Sequence, residues 1–232
     1  MTFLKKVGIA AFLVANIGFA NAALVASGSV GGAPTGTNKW NLDDAIPAGL
    51  SYSVIAGGAI VSGAAAGQYA APFLSGGNGA GFGLGGGDQP DGPDATMYGT
   101  SGSTGAPGTP SASFTLSFSS LQKYFGLLWG SVDDYNTLTF FNGAVAVGSL
   151  TGADVTASPN GDQGVNGTLY VNINSTLAFD TVVFTSSQFA FEFDNIAWSS
   201  SRQDVPEPGS LALLGLGLAG LAAASRRKQK QA

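Results

Sequence analysis

The chain has neither cysteine nor histidine anywhere in its 232 residues. Without cysteine there is no disulfide to support a fold, no thiol nucleophile and no thiolate metal site. Without histidine, Ser-His-Asp and Cys-His nucleophile systems are excluded, as are histidine-ligated zinc and iron sites. Charge is scarce as well, at 10% of residues, and positive charge is concentrated at the two ends. Between positions 23 and 204 the basic residues are Lys39, Lys123 and Arg202, against thirteen acidic ones. So acidic a stretch repels phosphate backbones and anionic headgroups, which excludes nucleic acid as a partner and points to cations and neutral polymers. Helical periodicity is missing too: outside the two ends no ten-residue segment repeats its apolar residues every three to four positions.

The ends are of a different kind. Lys5 and Lys6 precede an apolar run over 7–19, broken only by Asn16, and Ala20-Asn21-Ala22 follows as a small-x-small cleavage site. That order is a secretory signal peptide spanning 1–22, which implies the secretion translocon and signal peptidase as partners. At the other end Val205, Pro206, Glu207 and Pro208 precede an apolar run over 211–224, and Arg226, Arg227, Lys228 and Lys230 follow it. The prolines block helix continuation upstream. Counting the flanking serines, the run as a helix is roughly 24 Å long, just short of a bilayer core. It has no polar face, as a helix packed on a soluble core would. The basic cluster marks a cytoplasmic end. A transmembrane helix over 211–224 is expected.

The three-part array of Val-Pro-Glu-Pro, short apolar helix and Arg-rich end resembles the PEP-CTERM sorting signal of Gram-negative bacteria, here over 205–230. The resemblance implies processing by an exosortase near Pro206-Glu207-Pro208. It also implies an inner-membrane intermediate, and a final location at the cell surface or in the extracellular, biofilm-forming matrix. The helix is then removed, as the tail of a lipid-anchor signal is.

Between the ends, 23–204 is expected to form one domain. Within it, 57–110 is rich in Gly, Ala, Ser and Pro and reads as loops with a few short strands or, over part of its length, as disorder. From 111 onward the pattern is β. Phe114, Leu116 and Phe118 alternate with Ser and Thr, and 124–130 is continuously apolar, as in a central strand. Asn142-Gly143 between 137–141 and 144–147 predicts a type I′ hairpin turn. Leu169, Val171 and Ile173 form another alternating strand, and two more are expected over 178–185 and 188–198. In the last, Phe189, Phe191 and Phe193 share one face while Ile196 and Trp198 have the opposite parity, which predicts either a β-bulge at Asp194-Asn195 or burial of both faces without one. The expected fold is all-β, a jelly-roll-like antiparallel β-sandwich, with the signal peptide before it and the transmembrane helix after it. The stretches 124–143, 161–172 and 189–198 resemble exosortase-dependent surface proteins with small β-sandwich domains, a group that implies no catalysis.

Four groups of residues are candidate sites. Asp88, Asp91 and Asp94 lie three apart in the Gly/Pro-rich stretch, where they read either as calcium ligands or as solvated turn residues. Asp133 and Asp134 read either as turn caps or as part of a saccharide-facing loop. In the second reading Trp129 and Tyr135 are stacking platforms and the acids take sugar hydroxyls. Glu192 and Asp194 share a strand face and point outwards if Phe189, Phe191 and Phe193 fill the core. As paired carboxylates they raise glycosidase chemistry, with Glu192 as one of the two groups. A resemblance to carbohydrate-binding jelly rolls implies a structural calcium at Asp194. The expected function is a non-catalytic exported surface or matrix protein binding exopolysaccharide. A hydrolase using Glu192 and a purely structural coat protein are the alternatives.

Overall fold

The computed structural model describes residues 23–29, 32–55, 57–76, 91–102 and 112–203. The expected signal peptide, Asp88, and the sorting tail with its 211–224 helix lie outside the described residues. Among the described residues no helix is long and apolar enough to cross a membrane. Strands dominate: β1 (Leu24–Ser29), β2 (Asn38–Trp40), β3 (Leu50–Ile55), β4 (Ala59–Ser62), β5 (Phe73–Leu74), β6 (Gly92–Pro93), β7 (Met97–Ser101), β8 (Ala112–Gly130), β9 (Asn136–Asn142), β10 (Val145–Thr151), β11 (Leu169–Ser186) and β12 (Phe191–Ser199). One 3-10 turn, Gly152–Asp154, interrupts them.

All the strand pairings are antiparallel. The alternating segment 113–119 and the apolar segment 124–130, expected as separate strands, run together as β8. Likewise 169–173 and 178–185 merge into β11. Each long strand serves two layers. In one layer the first half of β8 pairs with β3 and with the second half of β11, which pairs in turn with β9, and β9 with β10. In the other, the second half of β8 pairs with β12 and with the first half of β11, and β1 lies beyond it. β7 and β2 share the free side of β12.

Aromatic residues close the two layers on each other. Phe125 meets Phe140 edge-on at 5.9 Å between ring centroids, Phe114 meets Phe193 at 5.0 Å, and Phe184 stacks on Phe193 at 4.0 Å. Such offset and edge-to-face pairs are the arrangement that ring quadrupoles favour. The result is an antiparallel β-sandwich with a phenylalanine-rich core.

Three expectations are corrected in detail. Asn142 pairs with Val145, so the hairpin loop is Gly143-Ala144, and among the turn residues only Gly143 has positive φ, at 56°. A glycine at the first loop position suits a type II′ rather than a type I′ turn. Asp180 accepts the Gly143 amide with both carboxylate oxygens at 3.1 Å. Phe189 precedes β12 and is only partly buried, so it does not join Phe191 and Phe193 in the core. Trp129, expected as an exposed stacking platform, is fully buried and stacks on Phe191 at 4.4 Å inside the core.

The expected bulge is present. The pairing of β12 with β8 shifts between Asp194 and Ala197, and Asn195 has φ 51°. The shift lets Phe191, Phe193, Ile196 and Trp198 enter one core despite their opposite parities. Glu192 and Asp194 point away from that core, as expected, yet they do not reach solvent: every residue of β12 is buried. The segments 63–76 and 91–96 cover this second face. Leu74 packs with Tyr124, Leu128, Tyr170 and Ala197, the Phe73 amide donates to Thr168 Oγ1 at 3.1 Å, and the Asp94 amide donates to the Pro72 carbonyl at 2.8 Å.

Gly99 on β7 sits where a Cβ would lie 2.3 Å from the Phe193 ring. Because that ring is held by Phe184 and Phe114, it has nowhere to move. Gly99→Ala is expected to destabilise the fold by about 1–3 kcal/mol, the usual cost of overpacking, read as a lower urea midpoint with an unchanged slope.

Candidate functional site

β8 ends at Gly130, and Ser131 turns the chain with φ 42°. That turn aims its hydroxyl at the neighbouring strand, where it donates to Glu192 Oε2 at 2.5 Å. The Ala70 amide donates to Glu192 Oε1 at 3.0 Å. Glu192 is thus clamped between the end of β8 and the covering segment, with 2% of its surface exposed. Burial pushes its pKa up to about 7, against the opposing effect of the Ser131 and Ala70 hydrogen bonds. Asp133 follows two residues after Ser131 and is 6% exposed. Its pKa is raised, first by burial and then by Asp134. Tyr135 donates its hydroxyl to the Phe189 carbonyl at 3.3 Å, and its own pKa is pushed up by burial and by Asp133.

These groups line one open cleft of about 290 Å³, whose opposite wall is the 64–70 segment with Gln68 and Tyr69, while Gln163 and Phe189 complete the rim. The cleft brings together Asp133 and Tyr135, two of the four expected loop ligands, with Glu192. Asp134 is exposed on the loop, and Trp129 belongs to the core. The loop reading from sequence missed Ser131, Gln68, Gln163 and Phe189. Nothing in their local pattern marks them, because strand pairing and the covering segment bring them together.

A second cluster lies further along β12. Asp194 is 0% exposed, and its pKa is raised well above the usual carboxylate range by burial, then by the adjacent Asp94 carboxyl, and also by Asp43. Asp94 is 2% exposed and accepts the Thr96 amide and hydroxyl at 2.8 and 2.6 Å through Oδ1. Asp91 is exposed, so Asp91 and Asp94 do not share an environment. Among the described residues no three acidic side chains are grouped tightly enough to hold a metal by themselves.

The family model of the PEP-CTERM protein-sorting motif matches residues 204–228. The chain carries a PEP-CTERM sorting motif. The motif implies export, a membrane-associated sorting step and exosortase-dependent processing, in agreement with the resemblance read from the tail. No curated protein and no solved structure matches the chain. The PEP-CTERM motif therefore carries the cellular address, and the cleft is the place on the β-domain where chemistry converges.

Glu192 ionises near pH 7 in the fold, against 4.5 in an open chain. The folded state thus holds the proton more tightly, so the stabilisation is complete below about pH 4.5 and is lost as pH rises through about 7. The loss is of order 3 kcal/mol for a group this buried. Glu192→Gln keeps an acceptor for Ala70 and a partner for Ser131. Chemical denaturation at pH 5 and pH 8 should show a smaller pH-dependent loss of stability in this variant than in the parent.

Proposed function

We propose that the protein is an exported cell-surface or extracellular-matrix component, sorted by an exosortase, whose jelly-roll-like β-domain binds exopolysaccharide without cleaving it. The carrying observation is the cleft, where Asp133, Glu192, Gln68 and Gln163 offer acceptors and donors for hydroxyls beside the rings of Tyr135, Tyr69 and Phe189. Neutral sugars are bound by that combination of hydrogen-bonding groups and aromatic faces. The acidic balance of 23–204 is compatible with a neutral polymer and opposes an anionic one.

Full-length protein in detergent is expected to co-sediment with the host's own exopolysaccharide. Asp133→Asn is expected to weaken retention about tenfold, the scale of one hydrogen bond to a charged group. No retention by the parent protein overturns the binding reading and favours a structural coat. Glu192 and Asp133 facing one cleft also support a second reading, glycan hydrolysis with Glu192 as one of a carboxylate pair. Release of reducing ends that disappears in Glu192→Gln would establish it in place of the first.

For the sorting step, replacing Pro206, Glu207 and Pro208 together by alanine is expected to leave the larger, unprocessed chain in the membrane fraction, read by mass on a gel.

A further inference from the structure

The end of the sandwich opposite the Glu192 cleft carries a surface of another kind. β8 crosses from one layer to the other between Phe118, which pairs with Leu50, and Tyr124, which pairs with Ser199 and Asn174. β11 crosses beside it, and residues 175–178 fall where its register shifts between Asn174 and Phe179. Leu121 and Leu177 stand on these two crossings, 49% and 56% exposed. Lys123 is exposed on the β8 crossing, and Arg202 is exposed just beyond the end of β12. Lys39 pairs with Ala197 and lines a cleft of about 250 Å³ with Gln122, Trp198 and Ser200. All three basic residues of 23–204 are at this end.

The acidic loops gather at the other end, past Gly130 and roughly 23 Å along β8. There the Gly152 amide donates to the Asp133 carbonyl at 3.2 Å and the Gly161 amide to the Val132 carbonyl at 3.1 Å, which brings Asp154 and Asp162 beside Asp133 and Asp134. Asp180 is an acid on the basic side, and its carboxylate is engaged by the Gly143 amide.

The chain also leaves for the sorting motif from the basic end. The Gln203 amide donates to Asn174 Oδ1 at 2.8 Å, and Asn174 Nδ2 donates to the Gln203 carbonyl at 2.8 Å. Gln203 Nε2 donates to Ser199 Oγ at 3.0 Å. The same part of β11 holds the start of the domain, where the Thr176 amide donates to the Ala23 carbonyl at 2.9 Å. Between the pinned Gln203 and the apolar run over 211–224 lie residues 204–210, which span at most about 25 Å when fully extended. A tether so short keeps this end of the domain close to any bilayer that holds the run.

We propose that this end, through Leu121, Leu177, Lys123 and Arg202, rests on the anionic headgroup surface of the bilayer during the membrane-associated sorting step. Exposed apolar side chains flanked by cations are the means of an interfacial contact: the leucines enter the boundary between headgroups and acyl chains, and the cations meet the phosphates. The acidity of the whole domain opposes such a surface at a distance. Salt screens exposed charges beyond about 8 Å, so the end that faces the bilayer determines the contact. The Glu192 cleft is then turned away from the membrane. The proposal rests on the membrane step of the sorting reading and not on saccharide binding.

The absence of cysteine lets a single label be placed at will. Full-length protein with Thr176→Cys or Asp134→Cys, each carrying a fluorophore, is reconstituted into vesicles of phosphatidylcholine alone or mixed with phosphatidylglycerol, both containing lipid with a nitroxide quencher on its headgroup. In the mixed vesicles the label at 176, beside Leu177, is expected to lose its fluorescence while the label at 134 keeps it. Lys123→Gln together with Arg202→Gln is expected to lower the ratio of docked to undocked domain about fivefold per cation, the scale of one basic residue at an anionic surface. Equal fluorescence at the two positions, in vesicles that hold the protein, overturns the proposal alone. Protein that does not float with the vesicles overturns the membrane step of the sorting reading as well. A double variant that docks like the parent overturns the assignment to an anionic surface.

Discussion

The structure depends on burying both faces of β12. One face places Phe191, Phe193, Ile196 and Trp198 in the sandwich core, and the other carries Glu192, Asp194 and Ala197 under a second cover. A strand with one wet face would leave the carboxylates hydrated and ordinary. Enclosing them forces each to find a hydrogen-bond donor, a proton or a cation, since a buried bare carboxylate is not tolerated. Glu192 meets that demand with Ser131 and the Ala70 amide. Asp194 meets it with a pKa held well above the usual carboxylate range by burial and by the adjacent Asp94 carboxyl.

The cover is built from the segment poorest in large side chains. Gly, Ala, Ser and Pro over 57–76 and 91–102 cannot make a core of their own, but they can lie close against a sheet. At Gly130 a Cβ would already stand 3.1 Å from Pro72. The same closeness brings the Ala70 amide within reach of Glu192 and shapes one wall of the cleft. A composition that looks too thin to hold structure thus supplies backbone donors where the sheet needs them.

The address of the protein and its chemistry are carried by different parts of the chain. The PEP-CTERM motif over 204–228 is a short linear pattern that implies exosortase-dependent processing. The cleft and the acidic cluster exist only because strands distant in sequence are paired: Ser131 meets Glu192 across 61 residues, and Ala70 meets it across 122.

Local pattern determined much of this protein. Period-two alternation marked the strands, the mixed parity of 189–198 marked the bulge, and the C-terminal motif marked sorting, because each is a property of neighbouring residues. The tertiary structure alone decided which faces are dry. Trp129 resembles a surface platform in its loop-flanking context but packs on Phe191, because the strand partner determines which side of Trp129 is enclosed. Asp94 resembles its neighbours Asp88 and Asp91 along the chain, yet it turns inward to Asp194, 100 residues away. Burial depends on what folds over a residue, and the cover here comes from a segment whose own sequence has no apolar periodicity to announce it.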